Sequence, residues 1–348
     1  MRRSRLLAPA DLHHATYHCV SRIVNRDMVL GEKEKEKFRE YMRVYERLLG
    51  VQVLTYCLMD NHFHILVTIP PRPEMLPTNA ELIALVRATL GDARADNLSN
   101  WFALWEEQNN QHAIEAERER WFRQMWNLAS FMKVLKQRFT QWYNGSRKQR
   151  RKGTLWEERY RSVLVEGGES ARIAGAYIDL NPVRAGMVGD PKDYRWSGYG
   201  EATAGRSEAQ TGMRLIAQSP TQYGLAPLAT ETAPMDEVLA AYREYLYGRG
   251  EEVRDEEGKI IKRGFTEEEI QKVRLTGGRL PMAVLLRLRV RYFTDGAIIG
   301  TAEFVEKIFN AHRHRFSANR RTGARRLQRL DLDHPLRTAR ALAVKAVE

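Results

Sequence analysis

Cysteine is nearly absent. Cys19 and Cys57 are the only two in 348 residues, too few for a disulfide framework or a cysteine zinc cluster, and in keeping with a reducing, cytoplasmic setting. No apolar run approaches the length of a membrane span, which argues against a spanning helix. The basic start Met1-Arg2-Arg3-Ser4-Arg5 leads into an apolar stretch too short for a secretory signal. Acidic residues are in deficit, 44 against 56 Lys and Arg, so the formal charge is +12 and a polyanionic partner is expected. Apolar residues are not lacking: they make up 43% of the chain, which excludes a disordered tail and suffices for more than one domain.

The basic excess is local. Residues 121–165 hold eleven Lys and Arg against two Asp and Glu, and residues 310–348 hold ten against three. What remains is slightly acidic, so the charge reads as two patches suited to phosphates rather than as a general aid to solubility.

Periodicity then sets out the elements. Ala15 to Arg22 reads as a strand, followed by a helix with Phe38, Tyr41, Met42, Tyr45, Leu48 and Leu49 spaced by three and four and stopped at Gly50. Val51 to Leu58 and His62 to Ile69 read as a hairpin turning at Asp60-Asn61 and ended by Pro70-Pro71. A helix from Met125 to Trp142 sets Lys133, Lys136 and Arg138 against an apolar stripe, runs into a basic loop over 145–153, and leads to a strand from Leu155 to Val165. The order strand-helix-strand-strand-helix-strand predicts an α+β, ferredoxin-like βαββαβ sheet with helices on one face. Residues 72–120, with two weaker helical patterns, read as an insertion.

Glu169 to Leu180 reads as a further helix, and Asn181-Pro182 begins another. Residues 201–234, rich in Gly, Ala and Thr, read as a linker. The stretch 235–348 reads as a mainly helical, basic C-terminal domain with helices over 235–247, 281–290 and 301–312. The last two fit a helix-turn-helix and a plain helical packing unit equally well.

His62-Phe63-His64 is the most informative triplet. Residues two apart on a strand share a face, so the two imidazoles point together while Phe63, Ile65, Val67 and Ile69 form an apolar face toward the helices. Such a pair on the open face of a sheet can chelate a divalent ion, although two surface or hydrogen-bonded histidines is the plainer reading of an isolated H-x-H. His312-Arg313-His314 has a charged centre in a basic tail and reads as phosphate contact or surface.

The text around His62 and His64 shifts the balance. Tyr56-Cys57-Leu58-Met59-Asp60-Asn61-His62-Phe63-His64-Ile65-Leu66 resembles the HUH region of the IS200-like, single-tyrosine (Y1) transposases, in particular the REP-associated group. Tyr17-His18-Cys19-Val20-Ser21-Arg22 resembles their first strand, and Gly153-Thr154-Leu155-Trp156-Glu157-Glu158-Arg159-Tyr160-Arg161-Ser162 their fourth. Ala176-Tyr177-Ile178-Asp179-Leu180-Asn181-Pro182-Val183-Arg184-Ala185-Gly186 resembles their tyrosine helix, and Asp193-Tyr194-Arg195-Trp196-Ser197-Gly198-Tyr199 their closing motif. Five motifs in order over residues 15–200 make residues 1–200 the expected catalytic domain.

The resemblance implies that Tyr177 is the nucleophile and that His62 and His64 are metal ligands. Among 14 tyrosines composition picks none, and Tyr143, at the end of the basic helix, is the rival. Asn181, one helical turn after Tyr177, suits a third ligand and equally an N-cap before Pro182. His18 could approach the same site from the first strand but reads as structural. Neutral histidines suit Mn²⁺ better than Mg²⁺, the other candidate ion. Lys133, Lys136, Arg138, Arg147, Lys148, Arg150, Arg151, Lys152, Arg159 and Arg161 are the expected DNA contacts, with Trp156 and Tyr160 available to stack on bases.

The implied activity is metal-assisted cleavage and rejoining of single-stranded DNA near a hairpin through a 5′-phosphotyrosine. A relaxase or rolling-circle initiator of the same chemistry is one alternative, and a non-cleaving protein that binds palindromic repeats is another. Some relatives exchange tyrosine helices in homodimers and others act as monomers.

Overall fold

The computed structural model describes residues 6–9, 12, 14–147, 151–218, 227–249, 253–254, 260–262, 288–289, 297–326, 336–339 and 345–346. The chain forms two compact units that alternate along the sequence: Met1–Met28, Val53–Val67 and Trp156–Glu348 make one, Val29–Gln52 and Thr68–Leu155 the other. Among the described residues no helix is long and apolar enough to cross a membrane.

The first unit is built on a sheet. Its first strands are β1 (Ala15–Arg22), β2 (Gln52–Leu58), β3 (His62–Ile69) and β4 (Arg161–Val165), ordered β2-β3-β1-β4. That is the strand order of a ferredoxin-like sheet, as the alternation of elements predicts. β4 runs antiparallel to β1, with His18 opposite Val163 and Val20 opposite Arg161. β1 is buried from Ala15 to Ser21, and β3 from Phe63 to Thr68, so both faces of the central strands are covered. The histidine face of β3 is therefore not the open face expected from its alternation.

After β4 come α6 (Glu169–Asp179), the single turn α7 (Asn181–Arg184), α8 (Gly198–Thr203), α9 (Ser207–Gln218) and α10 (Met235–Arg249). β4 is shorter than the predicted strand 155–165. Trp156 makes an isolated bridge to Ile23, and its ring packs edge-on against Phe63 at 5.3 Å. Within the predicted linker the described residues include the helix α9, which buries Ala209, Gly212, Met213, Ile216 and Ala217. Its small residues serve close packing rather than flexibility. A Cβ at Gly212 would lie 2.4 Å from the Leu54 carbonyl oxygen.

The described residues of the last third include short strands as well as helices. Alongside α10 and α11 (Ala302–Ala311) it contributes short strand pairs, β5 (Val253–Arg254) with β6 (Ile260–Lys262), and β7 (Leu288–Arg289) with β11 (Lys345–Ala346). β7 falls within the predicted helix 281–290, whose other residues lie outside the described ones. β8 (Ile298–Gly300) joins the main sheet parallel to β4, and β10 (Arg337–Thr338) and β9 (Arg325–Arg326) extend it further. Ile298 and Ile299 are fully buried: two β-branched residues between glycines make a strand that the helical pattern downstream conceals.

The second unit is helical: α1 (Glu32–Leu49), α2 (Asn79–Leu90), α3 (Asp92–Glu107), α4 (Gln111–Phe122) and α5 (Leu128–Gly145). The insertion over 72–120 thus holds three helices, and it has apolar residues of its own to bury, among them Leu82, Val86, Leu98, Phe102, Ile114 and Phe122. Phe38 of α1 meets Phe139 of α5 edge-on at 5.1 Å. α1 ends where expected, at Gly50, whose φ of +62° is the left-handed conformation of a helix stop. A Cβ there would lie 2.6 Å from Trp126 Nε1. Gly50→Ala is expected to destabilise this unit by about 2–4 kcal/mol, from left-handed strain plus overpacking, read as a lower urea midpoint. A loss below about 0.5 kcal/mol, the range of an ordinary surface change, would contradict this account.

Candidate active site

Two strands and a helix of the first unit converge on one cluster of rings. His62 and His64 stand two apart on β3 with ring centroids 5.1 Å apart. His18 comes from β1, the strand next to β3. Its Nε2 is 2.9 Å from His64 Nδ1, and the two rings stack at 5.1 Å. Tyr177 of α6 presents its ring edge-on to both, 5.9 Å from His64 and 6.0 Å from His18.

α6 can come this close because it is nearly all small or tightly packed: Ala171, Ala174, Gly175 and Ala176 are buried with the rest of the helix except Ile173.

Hydrogen bonds fix much of the imidazole orientation. Asn61 Nδ2 donates to the Arg26 carbonyl oxygen at 3.0 Å, which turns Asn61 Oδ1 toward His62 Nδ1 at 2.7 Å. A carbonyl oxygen only accepts, so His62 Nδ1 carries the proton and Nε2 the lone pair in the neutral ring. His64 is 2% exposed. Burial, reinforced by His18, His62, Arg184 and Arg22, holds its pKa well below the ordinary histidine value, so it is neutral at pH 7 and a competent ligand. When its Nδ1–H donates to His18, its lone pair also lies on Nε2.

Two imidazoles two apart on one strand can together hold a divalent ion. Among the described residues no group of three or more His, Cys, Asp and Glu is arranged to hold a metal. An ion there would take its other ligands from water or phosphate oxygens.

Asn181 does not take the N-cap position expected for it. Its Nδ2 donates to the carbonyl oxygens of Tyr177 and Ile178, at 3.0 and 3.2 Å, so the amide closes the C-terminal end of α6. The N-cap position of α7 belongs to Leu180.

Two residues outside the expected site set belong to the cluster. His18, expected to be structural, is one, and the neighbouring of β1 and β3 is what brings it there. Arg184 is the other: its guanidinium lies 4.2 Å from the centroid of the Tyr177 ring and donates to the Tyr177 carbonyl oxygen. It follows Tyr177 by seven residues, two helical turns, so it returns to the same side. A cation at this point favours negative charge on a phenolate or a phosphate.

The expected DNA contacts divide into several kinds. In the second unit Lys133 and Lys152 are exposed, whereas Lys136 and Arg138 are half-buried. Arg147 pairs with Glu34 at 2.6 Å and lies over the Tyr143 ring at 3.9 Å. Arg151 donates to Asn144 Oδ1 and the Thr154 carbonyl oxygen. Lys148 and Arg150 lie outside the described residues. In the first unit Arg159 and Arg161 are exposed. Trp156 and Tyr160 are 5% and 7% exposed, so these rings serve the core and present no open face for base stacking. Tyr143, the rival nucleophile, is buried on α5 beside Phe139. His312 hydrogen-bonds the Leu7 carbonyl oxygen through Nε2.

Residues 11–79 match the family model described as "Transposase IS200 like". A solved structure described as "Structure of the REP associates tyrosine transposase bound to a REP hairpin" is 15% identical, covering 59% of this chain and 85% of that chain with a TM-score of 0.36. No curated protein matches the chain. The matched stretch is the one that carries β1, α1, β2 and the paired histidines of β3.

Proposed function

We propose that this protein is a transposase that cleaves and rejoins single-stranded DNA near a hairpin, as the REP-associated members its motifs resemble do, with Tyr177 as nucleophile. The observation that carries the reading is the Tyr177 ring within 6.0 Å of both the His18 and His64 rings, with Arg184 on its face. A phenol of pKa about 10 is a weak nucleophile at neutral pH unless charge nearby favours its anion. Arg184 supplies a fixed positive charge against the ring. Tyr177 Oη attacks phosphorus, the new O–P bond forms as the P–O3′ bond breaks, and the phenolic proton ends on the departing 3′ oxygen. The phosphotyrosine ester conserves the bond energy, so a 3′-hydroxyl can reverse the step and join a strand. A Mg²⁺ or Mn²⁺ ion held by His62 and His64 would polarise a non-bridging phosphate oxygen. Asn61 and His18 hold the two imidazoles in orientation.

The test incubates the full chain with end-labelled hairpin DNA and Mn²⁺ and resolves covalent adducts by denaturing electrophoresis. Wild type should form an adduct that Tyr177→Phe abolishes without loss of hairpin binding. No adduct from wild type, or one that survives Tyr177→Phe, overturns the reading. Hairpin binding without cleavage would favour a non-cleaving repeat-binding protein.

A further inference from the structure

The Tyr177 helix is held from behind. At 3.6 residues per turn, a residue two positions further on projects to nearly the opposite side of a helix. The residue there is Asp179, with no exposed surface. Its carboxylate accepts three hydrogen bonds from three separate elements: Thr55 Oγ1 of β2 at 2.8 Å, the Tyr242 hydroxyl of α10 at 2.8 Å, and the Tyr199 backbone N–H of α8 at 3.2 Å.

Two glycines make room for this node. Gly175 lies one turn before Asp179, and a Cβ there would come 3.1 Å from the Tyr242 hydroxyl and 3.2 Å from Ile216 Cδ1. A Cβ on Gly198 would come 2.2 Å from Thr55 Oγ1. α10 also reaches the other end of the helix, where the Tyr245 hydroxyl donates to Glu169 Oε1 at 2.8 Å. Tyr242 and Tyr245 are three apart and so share a side of α10. One helix from the C-terminal third thereby holds the first and last residues of α6.

We propose that Asp179 and Tyr242 form a latch that sets the rotation of α6 and so aims Tyr177 at the histidines, making α10 a positioning element of the active site. The proposal rests on the reading of Tyr177 as nucleophile. Asp179 and Tyr242 have no exposed surface. Their part is geometric, and small misplacement of a reacting group is costly.

Tyr242→Phe keeps the ring and removes one hydroxyl. With saturating hairpin DNA and Mn²⁺, the rate of adduct formation should fall on the order of 10–100-fold, while the hairpin dissociation constant stays within about twofold. In hydrogen exchange, amides of residues 174–181 should lose about tenfold in protection, the order expected for one lost hydrogen bond, and those of β1 should not change. Thr55→Val removes a second donor from the same carboxylate and should reproduce both effects, which guards against a folding defect peculiar to one variant. Unchanged adduct rates, or exchange that rises uniformly across the unit, would overturn the latch and leave these residues as ordinary core. If wild type forms no Tyr177 adduct, the nucleophile reading fails instead, and exchange over 174–181 still decides whether the latch holds the helix.

Discussion

His64→Ala is expected to abolish adduct formation and to remove most of the Mn²⁺ affinity, whereas His18→Ala should lower that affinity only about 10–100-fold, the usual cost of losing a residue that orients a ligand. The distinction follows from geometry. His64 stands beside His62 on β3 and is buried and neutral, so it can offer a lone pair. His18 meets His64 through a single Nε2 to Nδ1 contact and acts on the ion through that ring. Raising Mn²⁺ should restore much of the His18→Ala activity and little of that of His64→Ala. Binding is read by electron paramagnetic resonance, independently of cleavage, and hairpin affinity in the absence of metal checks that each variant is folded. Equal deficits in the two variants, or equal rescue, would place both histidines on the same footing and contradict the assignment.

What was legible in the sequence follows the range over which each signal acts. The pairing of His62 with His64 is visible because a strand alternates every two residues, and Gly50 is visible because helix ends have local chemistry. Tyr177 is different: nothing local separates it from the other tyrosines, and only the motif around it did. His18 needed the neighbour relation of β1 and β3, which no window along the chain contains. Arg184 was within reach through its spacing of seven from Tyr177. Asp179 was not, since a carboxylate in a helix reads as solvated until its three donors from β2, α8 and α10 are seen. Burial pushes its pKa up to about 7 even against those hydrogen bonds, a measure of how completely packing overrode the ordinary preference of the residue for water. The same override explains α9, whose small residues resemble linker composition, and Trp156, whose size suits a core as well as a base.

Arg243→Ala is expected to destabilise the first unit by about 3–5 kcal/mol, the usual cost of removing one partner from a buried ion pair. Asp190 has no exposed surface, and Arg243 grips it with both terminal nitrogens at 2.9 and 2.7 Å. The Lys192 backbone N–H adds a bond at 3.0 Å, but its ammonium is 3.9 Å away and exposed, so it is a poor substitute for the guanidinium. Without Arg243 the carboxylate keeps its desolvation cost and loses its counterion. Pairing Arg243→Ala with Asp190→Asn should recover part of the loss, because the amide no longer needs a cation; urea unfolding of the single and double variants measures both numbers. A cost below about 1 kcal/mol for the single variant, as for an exposed pair, would mean that the pair is not buried as described. Arg243 also separates two roles of α10. It ties the helix to the 190s segment through charge, whereas Tyr242 and Tyr245 tie it to α6 through hydroxyls. Arg243→Ala should therefore lower global stability with cleavage loss only in proportion to the unfolded fraction, while Tyr242→Phe should impair cleavage in protein that remains folded.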